Sequence, residues 1–389
     1  MIDTTSGVTA AQGFLAAGIS AGLKKSGKKD LALVVNEGPK HTAAAVFTTN
    51  RFPAAPVQWS REVAGDASLK AVVLNSGGAN ACTGRQGLAD ARLMAETAAE
   101  SLGCEPTDVA VCSTGLIGEL LPINRVAAGI AAAARCLSDD GGRNAAEAIM
   151  TTDTVSKQAA VRSDQGWSVG GMAKGAGMLA PGLATMLVVI TTDADLTGDE
   201  AAQALKQATH VSFDRADSDG CMSTNDTVIL MANGRSGCAP EPARFAEALT
   251  QVCVSLAKQL IADAEGAGHA IAVTVTSAAN ETDALEVART VARSNLFKCA
   301  VAGNDPNWGR VVASMGTTKA QFDSDEVDVA FNGVPVFSAG APDVPRDQVD
   351  LTGFDVDVLI ALHAGDEEAT IWTNDLTHGY VSENADYSS

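Results

Sequence analysis

Residues 173–192 read AKGAGMLAPGLATMLVVITT, and the change of character at Thr185 decides how the surrounding chain must fold. From 185 to 192 the residues are β-branched and apolar, which predicts a strand with little solvent exposure. Gly175, Gly177, Pro181 and Gly182 exclude regular structure just before it. A glycine-rich loop therefore meets a buried strand at the Ala184–Thr185 bond. A hydroxyl at that position adds little to packing, but it suits a peptide bond cut by its own threonine. The hydroxyl attacks the preceding carbonyl, the amide becomes an ester, and water releases a chain beginning at Thr185. Its new α-amine, with an ordinary pKa of about 7.7 to 8, can then act as a general base. A threonine at the start of a strand is more often structural, so the rest of the chain has to carry this chemistry.

Two nucleotide-binding readings of the same glycines fail on their context. Gly175-x-Gly177-x-x-Ala180 fits a loose dinucleotide fingerprint, which must follow a strand and open a helix, whereas Pro181-Gly182 opens a strand. A phosphate-binding loop would need Lys and then Ser or Thr after Gly175, where Ala176 stands.

The 389 residues allow two or three domains and an ample core. Apolar residues make up 46% and aromatics only 4%, so the core is expected to be close-packed from small side chains in α/β layers. A net charge of −20 argues against nucleic acid or an anionic membrane as partner. Eight scattered cysteines, without Cys-x-x-Cys or clustered histidines, point to neither zinc nor a disulfide framework. Most are expected to be small core residues in a reducing cytoplasm. The first residues lack a signal-peptide pattern, and no run approaches the roughly 20 apolar residues of a membrane span.

Strands and helices alternate along the chain without an obvious linker, predicting one compact body. Strands at 69–74 and 108–112 each run into a polar, glycine-containing turn, Asn75-Ser76-Gly77-Gly78 and Ser113-Thr114-Gly115, and are followed by helices at 88–102 and 123–136. Helical spacing of Phe245, Leu249, Val252, Leu256 and Leu260 predicts a helix over 241–265 stopped by Gly266. Asp263 and Glu265 would then occupy its last turn, where the helix dipole disfavours negative charge. A strand follows from 270. Residues 326–338 read as a hairpin on a type I′ Asn332-Gly333 turn, with Pro335 placing the second strand at an edge. Strands at 355–362 and 368–373 precede a polar tail that by default would fray.

The Ser113-Thr114-Gly115 turn also has a chemical reading. Acyl attack by threonine creates an oxyanion, which the Thr114 hydroxyl and the Gly115 N–H could stabilise from a strand end. Such turns are common, and on its own this one is an ordinary turn.

In order and over essentially its whole length, the chain resembles the ornithine acetyltransferase/N-acetylglutamate synthase family of arginine biosynthesis. The matching segments include VTAAQGFLAAGISAGLKKSGKKDLALVV (8–35), VVLNSGGANACTG (72–84), CSTGLIGE (112–119), MTTDTVSK (150–157) and AKGAGMLAPGLATML (173–187). Beyond these come SFDRADSDGCMSTNDTV (212–228), KCAVAGNDPNWGR (298–310) and NDLTHGYVSENADYSS (374–389). The resemblance implies a layered αββα sandwich of the self-cleaving threonine-nucleophile type, with a smaller C-terminal α/β part. It implies autocleavage at Ala184–Thr185 into fragments 1–184 and 185–389 that interlock into one body and pair into an α2β2 heterotetramer. Thr185 would be the nucleophile, and Thr114 and Gly115 the oxyanion hole. Thr152, Lys174, Thr185, Glu265, Asn384 and Ser389 match substrate-contacting positions, so the tail should fold back over the site. Lys174 would face the substrate α-carboxylate.

The implied reaction is ping-pong: Thr185 takes the acetyl group of N2-acetylornithine as an ester, ornithine leaves, and glutamate accepts the acetyl group. No metal, nucleotide or redox cofactor is required; some family members also accept acetyl-CoA as donor. The alternatives are a threonine-nucleophile aminopeptidase or amidohydrolase of related fold, and an uncut binding protein. Departures from the family pattern include Gly78 and Gly182 for Asn, Ser156 for Pro, Cys299 for Thr, Cys221-Met222 for Asp-Thr, and Gly268-His269 for Thr-Lys. The last removes a lysine beside Glu265 and would alter local charge, while Gly182 loosens the scissile loop.

Overall fold

The computed structural model describes residues 2–180 and 186–386. They form two compact units, the first made of residues up to Asp214 with Cys221–Leu260, the second of Arg215–Gly220 and the chain from Ile261 onward. The first unit thus contains residues from both sides of the 184/185 bond.

In chain order the first unit runs through β1 (Phe14–Ile19), β2 (Leu31–Asn36), β3 (Thr42–Phe47), α1 (Ala55–Val63), β4 (Ala71–Asn75), α2 (Gly84–Leu102), β5 (Val109–Ser113) and α3 (Ile123–Ala134). It continues with α4 (Gly142–Ala148), β6 (Lys157–Arg162), β7 (Ser168–Lys174), β8 (Leu187–Thr192), α5 (Gly198–His210), β9 (Thr227–Ala232) and α6 (Pro242–Ala262). The strands make a four-stranded sheet, β1-β2-β4-β5, and a five-stranded sheet, β3-β9-β8-β7-β6.

Alternation along the strands explains how the layers stack. On β2, Ala32 and Val34 face the other sheet and join Val72, Leu74, Met172, Leu187, Val189 and Ile229 in the core between the sheets. Leu31, Leu33 and Val35 face the opposite way and pack with Met94, Ala98, Val126 and Ile130 of α2 and α3. On the outer face of the five-stranded sheet, Gly171 of β7 lies against Leu256 and Val252 of α6. The unit is an αββα sandwich, as the family resemblance implies. Both β4/β5 and β8/β9 are parallel pairs. Pairing of Asn75 with Ser113 brings two strand-end turns together, and Gly78 donates its N–H to Thr114 O at 3.0 Å.

The second unit holds β10 (Ala270–Ala278), α7 (Glu281–Ala292), α8 (Asn295–Ala302), α9 (Trp308–Met315), β11 (Asp328–Phe331), β12 (Val334–Ser338) and β13 (Ala341–Pro342). It ends with β14 (Asp355–Ala361), β15 (Glu367–Asn374) and α10 (His378–Asp386). Its strands form one sheet in the order β13-β12-β11-β14-β10-β15, with a core that includes Val273, Val287, Val291, Phe297, Val358 and Ile371.

Several sequence expectations are corrected. The helix over 241–265 stops at Ala262, so Asp263 and Glu265 lie beyond its last turn, where the apolar period has ended and Ala267 N–H bonds to Ala264 O. The Asn332-Gly333 turn is left-handed at both residues, as type I′ requires, but β12 is not the edge. The short β13 covers it at Phe337 and Ser338, leaving Pro335 outside that ladder. The tail is helical as far as Asp386 rather than frayed. Only Cys112 and Cys253 are buried; Cys82, Cys136, Cys221 and Cys299 sit exposed on loops and helix surfaces.

Candidate active site

The open end of the β6/β7 hairpin gathers buried charge. Lys157 opens β6 and pairs with Ala173, so Lys174, the last residue of β7, is its diagonal neighbour. Both side chains are buried, at 0% and 2% exposure, where an uncompensated ammonium would be prohibitive. Asp153 supplies the compensation. One of its oxygens accepts from Lys157 Nζ and from the Gly175 N–H, each at 2.7 Å, and the other accepts from the Thr151 N–H at 2.9 Å. Burial works against ionisation of Asp153, but the Lys174 and Lys157 charges override it and hold the carboxyl well below the usual range.

Lys24, which donates to Met150 O at 2.6 Å, feels the same cluster. Burial pulls its ammonium down to about 8, Asp30 opposes that shift, and the charge of Lys174 adds to it. Three lysines, Lys24, Lys157 and Lys174, thus face two buried carboxylates, Asp30 and Asp153, an excess of positive charge within a chain of net charge −20.

Lys174 also points at the expected oxyanion turn. Its Nζ donates to Thr114 Oγ1 at 3.2 Å, and the Thr114 N–H donates to Asn75 O at 2.9 Å. Among the described residues, neither the Thr114 hydroxyl proton nor the Gly115 N–H is given to an acceptor. Gly115 has φ +133°, and a Cβ there would lie 2.7 Å from Gly78 N, so the turn requires glycine. Thr152 is half-buried beside Asp153 in the loop before β6.

Behind this turn, Asn225 ties β5 to the start of β9, its Nδ2 donating to Ser113 O at 2.8 Å and to Ala79 O at 2.6 Å. Asp226, next in sequence, accepts from the Met186 N–H at 3.0 Å. The sequence reading missed Asp153, Lys157, Asn225 and Asp226. A carboxylate four residues before a strand-initial lysine was the available signal for the first pair.

Glu265 and Asn384 belong to the second unit and meet there, Asn384 Nδ2 donating to Glu265 Oε2 at 2.9 Å. Their contact depends on Gly266, at φ +65°, where a Cβ would lie 2.0 Å from Tyr380 N. Thr377 Oγ1 donates to Gly266 O at 2.5 Å and fixes the start of α10 against this turn. His269, standing where lysine is usual, is turned away into the protein: Nδ1 lies 2.8 Å from Asp375 Oδ2 and Nε2 3.0 Å from Leu351 O. This unit also has a cavity of about 210 Å³ lined by Ser218, Asp219, Arg293, Lys298 and Tyr380 among others. Its cations are engaged, Arg293 with Asp217 and Lys298 with Ser218 O. Ala184, Thr185 and Ser389, as well as Gly182, lie outside the described residues.

The chain is similar to known proteins over nearly its whole length. The sequence pattern of the ArgJ family matches residues 15–389. The arginine biosynthesis bifunctional protein ArgJ of Streptomyces coelicolor is 59% identical over 382 residues, covering 98% of this chain and 100% of that protein. The protein of the same name from Thermobifida fusca is 56% identical with the same coverage. Among solved structures, an ornithine acetyltransferase of Mycobacterium tuberculosis, complexed with ornithine, is 50% identical, covering 48% of this chain and 99% of that one, with a TM-score of 0.46. The chain belongs to the ArgJ family.

Proposed function

We propose that this chain cuts itself at Ala184–Thr185 and then moves the acetyl group of N2-acetylornithine to glutamate through an acetyl ester on Thr185. The observation that carries the reading is the pair of uncommitted donors at Thr114 and Gly115, held beside the buried Lys174. Thr185 attacks the acetyl carbonyl, and its α-amine takes the hydroxyl proton and returns it to the departing ornithine nitrogen. The Thr114 hydroxyl and Gly115 N–H receive the oxyanion. Glutamate then attacks the ester as a free amine, giving N-acetylglutamate and restoring the threonine.

An amide is exchanged for an amide through an ester, so the chemistry needs no metal, nucleotide or redox cofactor. The positive field of Lys24, Lys157 and Lys174 favours substrates that carry a carboxylate, with Lys174 as its partner. Thr152, Glu265, Asn384 and Ser389 would complete substrate contact, Glu265 suiting a cationic ammonium. Acetyl-CoA would serve as a second donor in a bifunctional enzyme of the cytoplasm. The two fragments would assemble as α2β2.

Intact mass under denaturing conditions tests the reading. Two species meeting at Ala184 and Thr185, with acetylglutamate formed from acetylornithine and glutamate, are expected. A single uncut chain, or free acetate in place of acetylglutamate, would overturn it.

A further inference from the structure

Lys24 carries a charge that its contacts do not require. Its Nζ donates to Met150 O at 2.6 Å and to Lys29 O at 2.9 Å, two neutral carbonyls that an uncharged amine, with two N–H groups of its own, would satisfy as well. Asp30 does not pair with it: the Asp30 oxygens accept the backbone N–H groups of Ala21 and Leu23, each at 2.6 Å, and of Lys24 itself at 3.0 Å. Among the described residues the Lys24 ammonium has no ion pair with a carboxylate, and its third hydrogen has no acceptor. Yet the side chain is half-buried and lies in the field of a second cation, Lys174, at the end of β7. Desolvation and like charge both oppose an ammonium there, so folding alone does not account for it.

The backbone that Lys24 holds leads into the candidate site. Met150 precedes Thr151, Thr152 and Asp153, and Asp153 fixes the far end of this segment by accepting from the Thr151 and Gly175 N–H groups and from Lys157 Nζ. Lys24 fixes the near end through Met150 O. Thr152 lies between the two anchors, and Asp153 is the carboxylate that feels the charges of Lys174 and Lys157. A shift at Met150 would therefore reach Thr152 along the chain and Lys174 through Asp153.

We propose, resting on the acetyl-transfer reading above, that Lys24 is a positioning residue for carboxylate-bearing substrates: its hydrogen bond to Met150 O sets the 150–153 segment, and its charge adds to that of Lys174 in attracting the substrate carboxylate. Burial pulls the Lys24 ammonium down to about 8; Asp30 and Asp153 oppose that shift, and the charges of Lys174 and Lys28 add to it. The charge is thus present at pH 7 and lost above pH 8. Both hydrogen bonds outlast deprotonation, because the neutral amine keeps two N–H groups. A change of pH therefore removes the charge and leaves the anchor, whereas truncation removes both.

The test measures KM and kcat for N2-acetylornithine, at saturating glutamate, at pH 7 and pH 9.5 in the wild type, Lys24→Arg and Lys24→Met. Arginine keeps donors and charge and does not titrate in this range, while methionine keeps only an apolar stem. The wild type is expected to show a KM about tenfold higher at pH 9.5 than at pH 7. Lys24→Arg should hold the wild-type pH 7 value at both, and Lys24→Met should have a KM raised at least about tenfold at both. At a given pH, kcat should differ less than about twofold among the three chains. A wild-type KM that stays flat, an equal rise in Lys24→Arg, or a folded Lys24→Met with the wild-type KM at pH 7 would each overturn the role. Should Lys24→Met fail to fold, the comparison of wild type with Lys24→Arg decides alone. A wild type that transfers no acetyl group would overturn the acetyl-transfer reading, and this role with it.

Discussion

Lys174 and Thr114 meet end to end, the ammonium donating to the hydroxyl oxygen at 3.2 Å with both side chains buried. Because Thr114 accepts from lysine, its own proton is left to point elsewhere. The lysine thereby does two things at once: it polarises the hydroxyl towards donation and brings positive charge to the place where an oxyanion would develop.

Removing that hydroxyl should therefore be read in kcat. Thr114→Ala is expected to lower kcat for acetyl transfer by about 10²–10³ with little change in KM, as loss of one oxyanion donor does. Thr114→Ser should recover most of the rate. Steady-state kinetics with acetylornithine and glutamate checks both.

Asp153→Asn would leave Lys157 and Lys174 buried around a neutral amide. Breaking a buried pair in this way destabilises by about 3–5 kcal/mol. The native carboxyl titrates below its unfolded value of about 3.9, so its contribution is fully present above that pH. It is lost as the pH falls through the native pKa. Denaturant melts of the wild type and the variant should accordingly lie far apart at pH 7 and converge in strong acid.

Asp226→Asn should change stability in the opposite sense. The native carboxyl holds its proton to higher pH than the unfolded chain does, so ionisation of the unfolded state erodes stability as pH rises above about 3.9. The asparagine variant escapes this slope. Urea melts at pH 5 and pH 8 are expected to show the variant gaining on the wild type as pH rises.

The Asn384–Glu265 hydrogen bond is exposed, and its loss should cost folding less than about 1 kcal/mol. If the pair contacts substrate, Asn384→Ala will raise KM for acetylornithine roughly tenfold, about 1.4 kcal/mol of binding. Thermal melting together with KM separates the two effects. An unchanged KM would make the pair a surface contact only.

Local chemistry made the strand Leu187–Thr192 and the irregular segment 175–180 ahead of it legible, although the strand expected from 185 opens at Leu187, because β-branched residues and glycines act over a few neighbours. The two strand-end turns at 75–78 and 113–115 were legible for the same reason. The pairing of β3 with β9 joins residues nearly two hundred positions apart, and periodicity carries no such information. Thr114 and Gly115 had a weak local reading as an oxyanion turn, whereas Lys174 became a candidate through family resemblance alone. Asp153, Lys157 and Asp226 escaped notice because a charged residue in a polar-looking segment reads as solvated until the fold buries it. The helix expected over 241–265 overran its observed end at Ala262 and so took in Glu265, since apolar spacing marks a helix's body more sharply than its end.

The order β3-β9-β8-β7-β6 has a bearing on how such a protein is born. Strands β8 and β9 come from beyond residue 184, while β3 on one side and β7 and β6 on the other come from before it. A chain severed at 184/185 would keep every rung of this ladder, since the break falls between β7 and β8 rather than within either. A gene divided at the same point would instead release, from separate ribosomes, two polypeptides with raw sheet edges: one missing its two central strands, the other a pair with no neighbours. Folding first as one continuous polypeptide would avoid that hazard, and would place any cleavage at 184/185 after folding.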